Sequence, residues 1–306
     1  MSTAKDVDVV VVGNVGVDTT VFLHGTTIES SLETHYTDDV DSIGQSGSYS
    51  VRGFAQLGYR TALIASVGDD HHGRWLRETF ADDGIDLAGV FTDPAGTNRS
   101  VNLLRTDGKR ISFFDGRSHM TLMPDLEMCR SVLGRARHVH FSIPNWARHL
   151  LPIARECGLT VSCDIQDVVT LPDEYRDDFI AGSDLLFMSA TNHDDPLPLV
   201  RHCLAIHPGQ TVVVGMGARG CMVADDHEVL TFAPPPSTLP LVDTTGAGDA
   251  LAVGFIAACV LEGMPLDRAV LRAQLGARHT CAQRATSDTL VTRRQLDELE
   301  RLASGR

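Results

Sequence analysis

The sequence predicts an α/β fold, a mainly parallel sheet with helices on both faces, and three observations carry that expectation. Continuous β-branched runs such as Val7-Asp8-Val9-Val10-Val11-Val12-Gly13 recur along the chain. Stretches of helical length separate them. A glycine-rich turn, Val242-Asp243-Thr244-Thr245-Gly246-Ala247-Gly248-Asp249-Ala250, leads straight into an apolar run from Leu251 to Leu261. Unbroken apolar strands belong to sheets buried on both faces, where the connections between parallel neighbours are helices.

The first strand is Val7–Gly13, and comparable runs follow at Thr61–Val67, His138–Ile143, Leu159–Asp164, Asp184–Met188 and Thr211–Gly215. Helices are expected between them at Ser48–Leu57, His72–Asp83, Trp146–Cys157 and Leu197–His207. After the glycine loop they are expected at Ala250–Leu261, Leu266–Ala282 and Thr292–Ala303. Two segments break the alternation. Residues 19–42 and 97–114 carry Thr, Val, Phe and Arg in two-residue alternation with a turn at Asp107-Gly108, which predicts antiparallel strands outside the main sheet. Pro234-Pro235-Pro236 reads as a stiff loop leading to the last core strand, not as a linker. Residues 1–306 are therefore taken as one domain with those two segments inserted in it.

With 306 residues and 43% hydrophobic content the chain can bury a substantial core. A net charge of −14 and a pI of about 5.3 argue against a nucleic-acid or anionic-membrane surface, since both need a basic face. The seven cysteines form no CxxC pair and several lie in apolar runs, so reduced thiols and a cytoplasmic location are expected. No signal-peptide pattern and no apolar run of membrane-spanning length is evident. GxxxxGK[ST], GxSxG and HExxH motifs are all missing, so no rival mechanism assembles.

The chemistry concentrates in the glycine turn. Two glycines and an alanine leave backbone N–H groups unobstructed where a helix begins, and those donors with the helix dipole favour an anion by roughly 0.3–2 kcal/mol. Asp249 falls in the first helical turn. A carboxylate beside an anion-binding loop can take a proton from a hydroxyl that attacks a bound phosphorus, although an ordinary glycine turn with an N-terminal helix charge has the same composition.

The order Asp243-Thr244-Thr245-Gly246-Ala247-Gly248-Asp249 resembles, residue for residue, the C-terminal signature of the ribokinase-like (PfkB-type) carbohydrate kinases. Weaker landmarks recur in the family's order from Val9 to Ala285. The resemblance implies a three-layer α/β/α ribokinase-like fold whose inserted segments form a small β-lid. It implies an ATP-dependent transfer of phosphate to a hydroxyl of a sugar or sugar-containing molecule, with magnesium and potassium. Asp249 is then the base, and the amides of Gly246, Ala247 and Gly248 form the anion hole. Asp243 with Thr245 would hold the monovalent cation.

Other landmarks follow from the same resemblance. Asp18, ending Gly13-Asn14-Val15-Gly16-Val17-Asp18, would accept hydrogen bonds from two sugar hydroxyls, with Asn14 nearby; on residue type alone Asp18 is a turn former. A dinucleotide fingerprint fits this stretch poorly, because the third glycine is missing and the chain continues as strand. Gly44-Gln45 followed by Tyr49 occupies the place of the family's Gly-Gly pair and Asn, so Gly44, Gln45 and Tyr49 would line the sugar site. Tyr49 either reshapes that pocket or turns into the core. Asn192 and Asp195 stand where the family has Asn-x-x-Glu, the motif that orders magnesium and its waters near the nucleotide. Gly217 and Gly220 follow a strand that supports ATP, with Gly215 in place of a usual Thr, and Gln274 falls near the adenine-facing region. Arg284 replaces a usual glycine in the cation-site loop. Leu63–Asp70 with Gly73 reads as structural, and His71-His72 as solvated. The close alternative is a nucleoside kinase, with Tyr49 stacking on a base. A non-catalytic binding relative is the alternative from another class. A homodimer through lid strand edges is the expected assembly.

Overall fold

A computed structural model describes residues 5–28, 31–106, 110–284 and 286–304. The expected turn at Asp107-Gly108, Lys109 beside it, and Ala285 lie outside the described residues. In chain order the first half forms β1 (Val7–Val12), β2 (Gly16–Leu23), β3 (Thr37–Gly44), α1 (Ser46–Gln56), β4 (Thr61–Val67), α2 (His71–Asp82), β5 (Asp86–Thr92), β6 (Asn98–Leu104) and β7 (Arg110–Asp115). The second half forms α3 (Leu126–Leu133), β8 (Ala136–Phe141), α4 (Leu151–Glu156), β9 (Thr160–Asp167), α5 (Glu174–Ala181), β10 (Leu185–Ser189), α6 (Leu197–Ile206), β11 (Thr211–Gly215), β12 (Cys221–Ala224), β13 (Val229–Phe232), α7 (Ala247–Phe255), α8 (Leu266–Thr280) and α9 (Arg293–Ala303).

The large sheet runs β13-β12-β11-β10-β9-β8-β1-β4-β5. Every pairing from β11 to β5 is parallel, and only β12 and β13 join antiparallel. The valines of β1 explain the three layers. Val9 and Val11 pack with Phe54, Phe80 and Phe255, while Val10 and Val12 pack with Trp146, Leu150 and Phe179. Each strand thus feeds two cores, so α1, α2, α7, α8 and α9 cover one face and α3 to α6 the other. From β1 the chain builds outward through β4 and β5 in one direction and through β8 to β11 in the other. The crevice beyond the carboxyl ends of β1 and β8 is therefore the topological switch point where ligands of open α/β sheets bind.

A second sheet, ordered β3-β2-β6-β7, stands apart. β2 pairs antiparallel with β3 and parallel with β6, and β6 pairs antiparallel with β7. Both segments expected outside the main sheet meet here, with wider strands: β2 starts at Gly16. Asp18 consequently belongs to β2 of the small sheet and does not end the first core strand. The register aligns Asp18 with Ser42 and Ser100, and period-two alternation sets Asp18, Asn102, Ser112 and Arg110 on one face.

Several local expectations change. Residues 233–246 contain no strand, so the proline loop leads to α7 without a final core strand. The Trp146–Cys157 helix is a 3₁₀ segment over Asn145–Leu150 joined to α4, because Pro152 suits only the first turn of an α-helix. The helix after the glycine loop begins at Ala247, capped by Gly246 in the left-handed region at φ 77, and widens into a π-turn over Ile256–Leu261. Among the described residues, β5, β12, β13, α3 and α5 were not foreseen; β12 and β13 are four-residue strands, and α3 and α5 have eight residues each. So short an element carries too few periods to stand out. The reading of Asp70 as structural agrees with its bonds: it caps α2 from Gly73 N at 2.8 Å and takes Thr97 N at 2.8 Å and Thr97 Oγ1 at 2.7 Å. Although burial opposes ionisation, those donors draw its carboxyl down to about 2.

Candidate active site

The carboxyl ends of β1 and β8 are tied by Asn14 N, which donates to Ser142 Oγ at 3.3 Å, and Gly47 N then donates to Asn14 O at 2.8 Å. These bonds seat the start of α1 on the switch point. Gln45, at φ 68, is a non-glycine residue in the left-handed region, a conformation that costs of order 1–3 kcal/mol and persists only when its surroundings impose it. The family's second glycine would take this conformation without strain. Gly44 has a different reason to be glycine. A Cβ there would overlap the Asp18 carboxylate, with Asp18 Cβ itself at 2.9 Å.

Around this point lies a ring of buried side-chain atoms without a hydrogen-bond partner: Asn14 Oδ1, Asp18 Oδ1, both amide atoms of Gln45, Asn98 Oδ1 and the Tyr49 hydroxyl. Asp18 Oδ2 accepts from Gln45 N at 3.3 Å. Buried polar atoms normally carry partners, so several unpaired ones facing the same crevice mark a polar binding site. Burial first, opposed by the nearby Ser100 and Gln45 donors, raises the Asp18 carboxyl above the ordinary aspartate range.

The glycine loop closes the site from the other side. Tyr49 is buried, and its ring lies against Gly246, where a Cβ would sit 2.5 Å from Tyr49 Cδ1. Its phenol is pushed well up by burial and then by the fields of Asp18, Asp249 and Asp243. The Tyr49 ring therefore packs against the glycine loop, within the fields of those three acids. Gly248 has open space where a side chain would stand, whereas the Ala247 amide is already engaged with Thr244 O at 3.2 Å. Asp249 keeps a partly open face to solvent while its carboxyl is walled by protein and bonded to its own amide. Burial, then the like charge of Asp164, raises it well above the usual carboxylate range.

Asp164 was missed in the sequence. It closes the apolar core of β9, is buried, accepts from Gln166 N at 2.7 Å, and is lifted to about 6 by burial and by Asp167. An acid following the buried positions Val161, Ser162 and Cys163 in the second half of a parallel strand was the available signal.

The remaining residues divide. Asp243, buried, accepts from Thr245 N at 2.9 Å, and the Thr245 hydroxyl accepts from Arg110 Nη1 at 2.6 Å. Arg284 lies over the Phe22 ring at 5.0 Å, joining the loop after α8 to β2. The Asn192 amide donates to Asp167 Oδ2 at 3.2 Å, and Asp195 Oδ1 accepts from Leu197 N at 3.0 Å, so the carboxylate at Asn192 is Asp167. Among the described residues no three His, Cys, Asp or Glu side chains gather to hold a metal directly. The pair of Asn192 and Asp167 suits magnesium held through its own water shell, the mode this ion favours. Gly217 and Gly220 turn between β11 and β12 at φ 57 and φ 89. At Gly220 a Cβ would strike Phe232 O and approach Pro234 N at 3.0 Å, which is a packing reason for glycine. Gly215 is different: a Cβ there meets only Leu251 at 3.5 Å and Met188 O at 3.8 Å, so a larger residue has room. Gln274 Nε2 donates to Ala233 O at 3.2 Å, tethering α8 to the proline loop.

The sequence matches the family described as pfkB family carbohydrate kinase over residues 8–293. The chain belongs to that family, and it is an ATP-dependent phosphotransferase acting on a carbohydrate hydroxyl. It is 29% identical over 296 residues to the acarbose 7(IV)-phosphotransferase of an Actinoplanes species, covering 96% of this chain and 98% of that one. It is 27% identical over 214 residues to a nucleoside kinase of Methanothermobacter thermautotrophicus, covering 67% of each. Among solved structures, the microbiome-derived acarbose kinase Mak1 superposes with a TM-score of 0.88 at 31% identity, over 96% of this chain and 99% of that one. No helix among the described residues is long and apolar enough to cross a membrane.

Proposed function

We propose that this chain transfers the γ-phosphoryl group of ATP to a hydroxyl of acarbose or a sugar of its kind. The observation that carries the acceptor class is the ring of unpaired buried atoms at Asn14, Asp18, Gln45, Tyr49 and Asn98, which offers donors and acceptors to a polyhydroxylated ligand. Likeness over nearly the whole chain to two acarbose kinases supports the particular acceptor. Asp18 grips the acceptor, and Asp249 takes the proton of the attacking hydroxyl. Amides at Gly246–Gly248 receive the phosphoryl oxygens, with Ala247 contributing once its bond to Thr244 opens. Asn192, with Gly217 and Gln274, supports the nucleotide, and Gly220 lets the turn between β11 and β12 pack against β13. Asn192, Asp167 and Asp195 would hold magnesium through its water shell, and the ion would supply neutralisation of the phosphate charge. Asp243 and the main chain at Thr245 would hold potassium, which would stiffen the loop; equal turnover in potassium and in tetramethylammonium would remove that element.

The small sheet acts as a lid of one domain spanning residues 1–306, and it excludes water from the site. Its outward face exposes Val101, Ile111 and Phe113, an apolar strip that suits a homodimer through the lid, testable by sedimentation. Seven free cysteines suit a cytoplasmic location.

Acceptor-dependent ADP release decides between readings. Acarbose is expected to give the highest kcat/KM among acarbose, fructose, ribose and adenosine. Adenosine in first place would favour the nucleoside reading, against which the buried Tyr49 ring offers no open stacking face. No ADP above the acceptor-free background with any of the four would favour a binding-only protein.

Asp164 adds a pH test. With Asp249 displaced upward, the base must lose its proton above the ordinary carboxylate range, so kcat/KM rises with pH along a shifted acid limb. Burial and the Asp164 charge are the causes in that order, so Asp164→Asn removes a like charge and should carry the limb to lower pH. An unmoved limb would disconnect the two carboxyls.

A further inference from the structure

Arg110 opens β7, and the register Phe22 to Leu104 to Arg110 sets it on the face of the small sheet that carries Asp18. From there Nη1 donates to Thr245 Oγ1 at 2.6 Å, the residue immediately before Gly246. Its charge acts on Asp18, Tyr49 and Asp249 together. Four acids share this region, Asp164 and Asp18 acting on Asp249 and Asp18, Asp249 and Asp243 acting on Tyr49, so a polyphosphate whose terminal group reaches the glycine loop meets like charge there. A guanidinium carries five N–H donors in a planar fork, and a bond to Thr245 is compatible with a second grip on phosphoryl oxygens.

We propose that Arg110 is a catalytic residue of this kinase, a cation delivered from the small sheet onto the glycine loop to meet the transferred phosphoryl group. The proposal rests on the kinase reading above. As the acceptor oxygen forms its bond to phosphorus, the bond from phosphorus to the β,γ-bridging oxygen breaks and its electron pair leaves on ADP. The hydroxyl proton passes to Asp249. Charge on the three non-bridging oxygens is what the guanidinium opposes, and its bond to Thr245 holds it at the loop beforehand, so no reorganisation is needed at the moment of transfer.

The test separates ground state from transition state. Arg110→Gln is expected to lower kcat by about 10²–10³ with KM for ATP within about threefold. Calorimetry with acarbose present should show ADP–aluminium fluoride bound more weakly by a similar factor, and ADP alone within about threefold of wild type. Arg110→Lys, which keeps the charge and loses the fork, should fall between. A kcat within about threefold of wild type, or an equal loss for both ADP complexes, overturns the proposal and leaves the kinase reading standing. A wild-type enzyme that releases no acceptor-dependent ADP removes both.

Discussion

Asp249→Asn is expected to abolish nearly all turnover while making the protein more stable. Loss of a general base typically costs on the order of 10²–10⁴ in rate, and with the acceptor held as proposed by Asp18 and the ring of polar side chains, the loss should appear in kcat with KM little changed. The stability gain follows from the sign of the perturbation. Folding raises the Asp249 carboxyl above its unfolded value, chiefly through burial and then through Asp164 and Asp18. Below the unfolded value the group is neutral in both states and costs nothing. Through the window above it the unfolded chain ionises while the folded protein keeps its proton, and beyond the folded value the folded protein carries a charge it disfavours, so stability falls as pH rises until the folded value is passed. An amide of the same shape removes that charge, and about 0.5–2 kcal/mol, a few degrees in Tm at pH 7, should be recovered. At pH 4 the difference should shrink. Turnover equal to wild type would take Asp249 out of the chemistry, and a lower Tm at pH 7 would contradict the burial argument.

Gly246→Ala is the second large effect. The residue holds φ 77, where an alanine is strained by roughly 1–2 kcal/mol, and the new methyl would stand 2.5 Å from Tyr49 Cδ1. Tyr49 is buried on α1, so the ring can yield only by repacking its neighbours. Either the ring or the start of α7 must move, and a displacement near 1 Å at the phosphoryl site costs about 10² in rate. We expect kcat/KM to fall by at least about 10² and stability by about 3 kcal/mol in urea unfolding. Removing the ring tests the cause. In Gly246→Ala/Tyr49→Ala the overlap is gone while the φ strain stays, so the two costs should couple by more than about 1 kcal/mol. Strict additivity would mean that ring and loop do not press on each other.

Tyr49 also shows where sequence reading stops. Its place in the helix after Gly44-Gln45 was legible, but whether it turned to the core or the site depended on Gly246, nearly two hundred residues away. The same holds for Asp164, only weakly signalled until β9 lies beside α7, and for Arg110, one of several basic residues on the lid segments until a single hydrogen bond to Thr245 sets it apart. Gly220 moved the other way: a position expected to admit nucleotide is glycine because β13 passes too close for a side chain.

By itself the sequence determined the alternation that makes a parallel sheet, the two segments that leave it, and the glycine loop with its acid, because these depend on period, propensity and neighbours within a few residues. Tertiary structure alone decided which acids share a field, that Asp18 rides on the small sheet, and which buried polar atoms are left without partners. Those are matters of distance between remote segments, and in a low-dielectric interior distance sets both the charge a group will hold and the ligand it can satisfy.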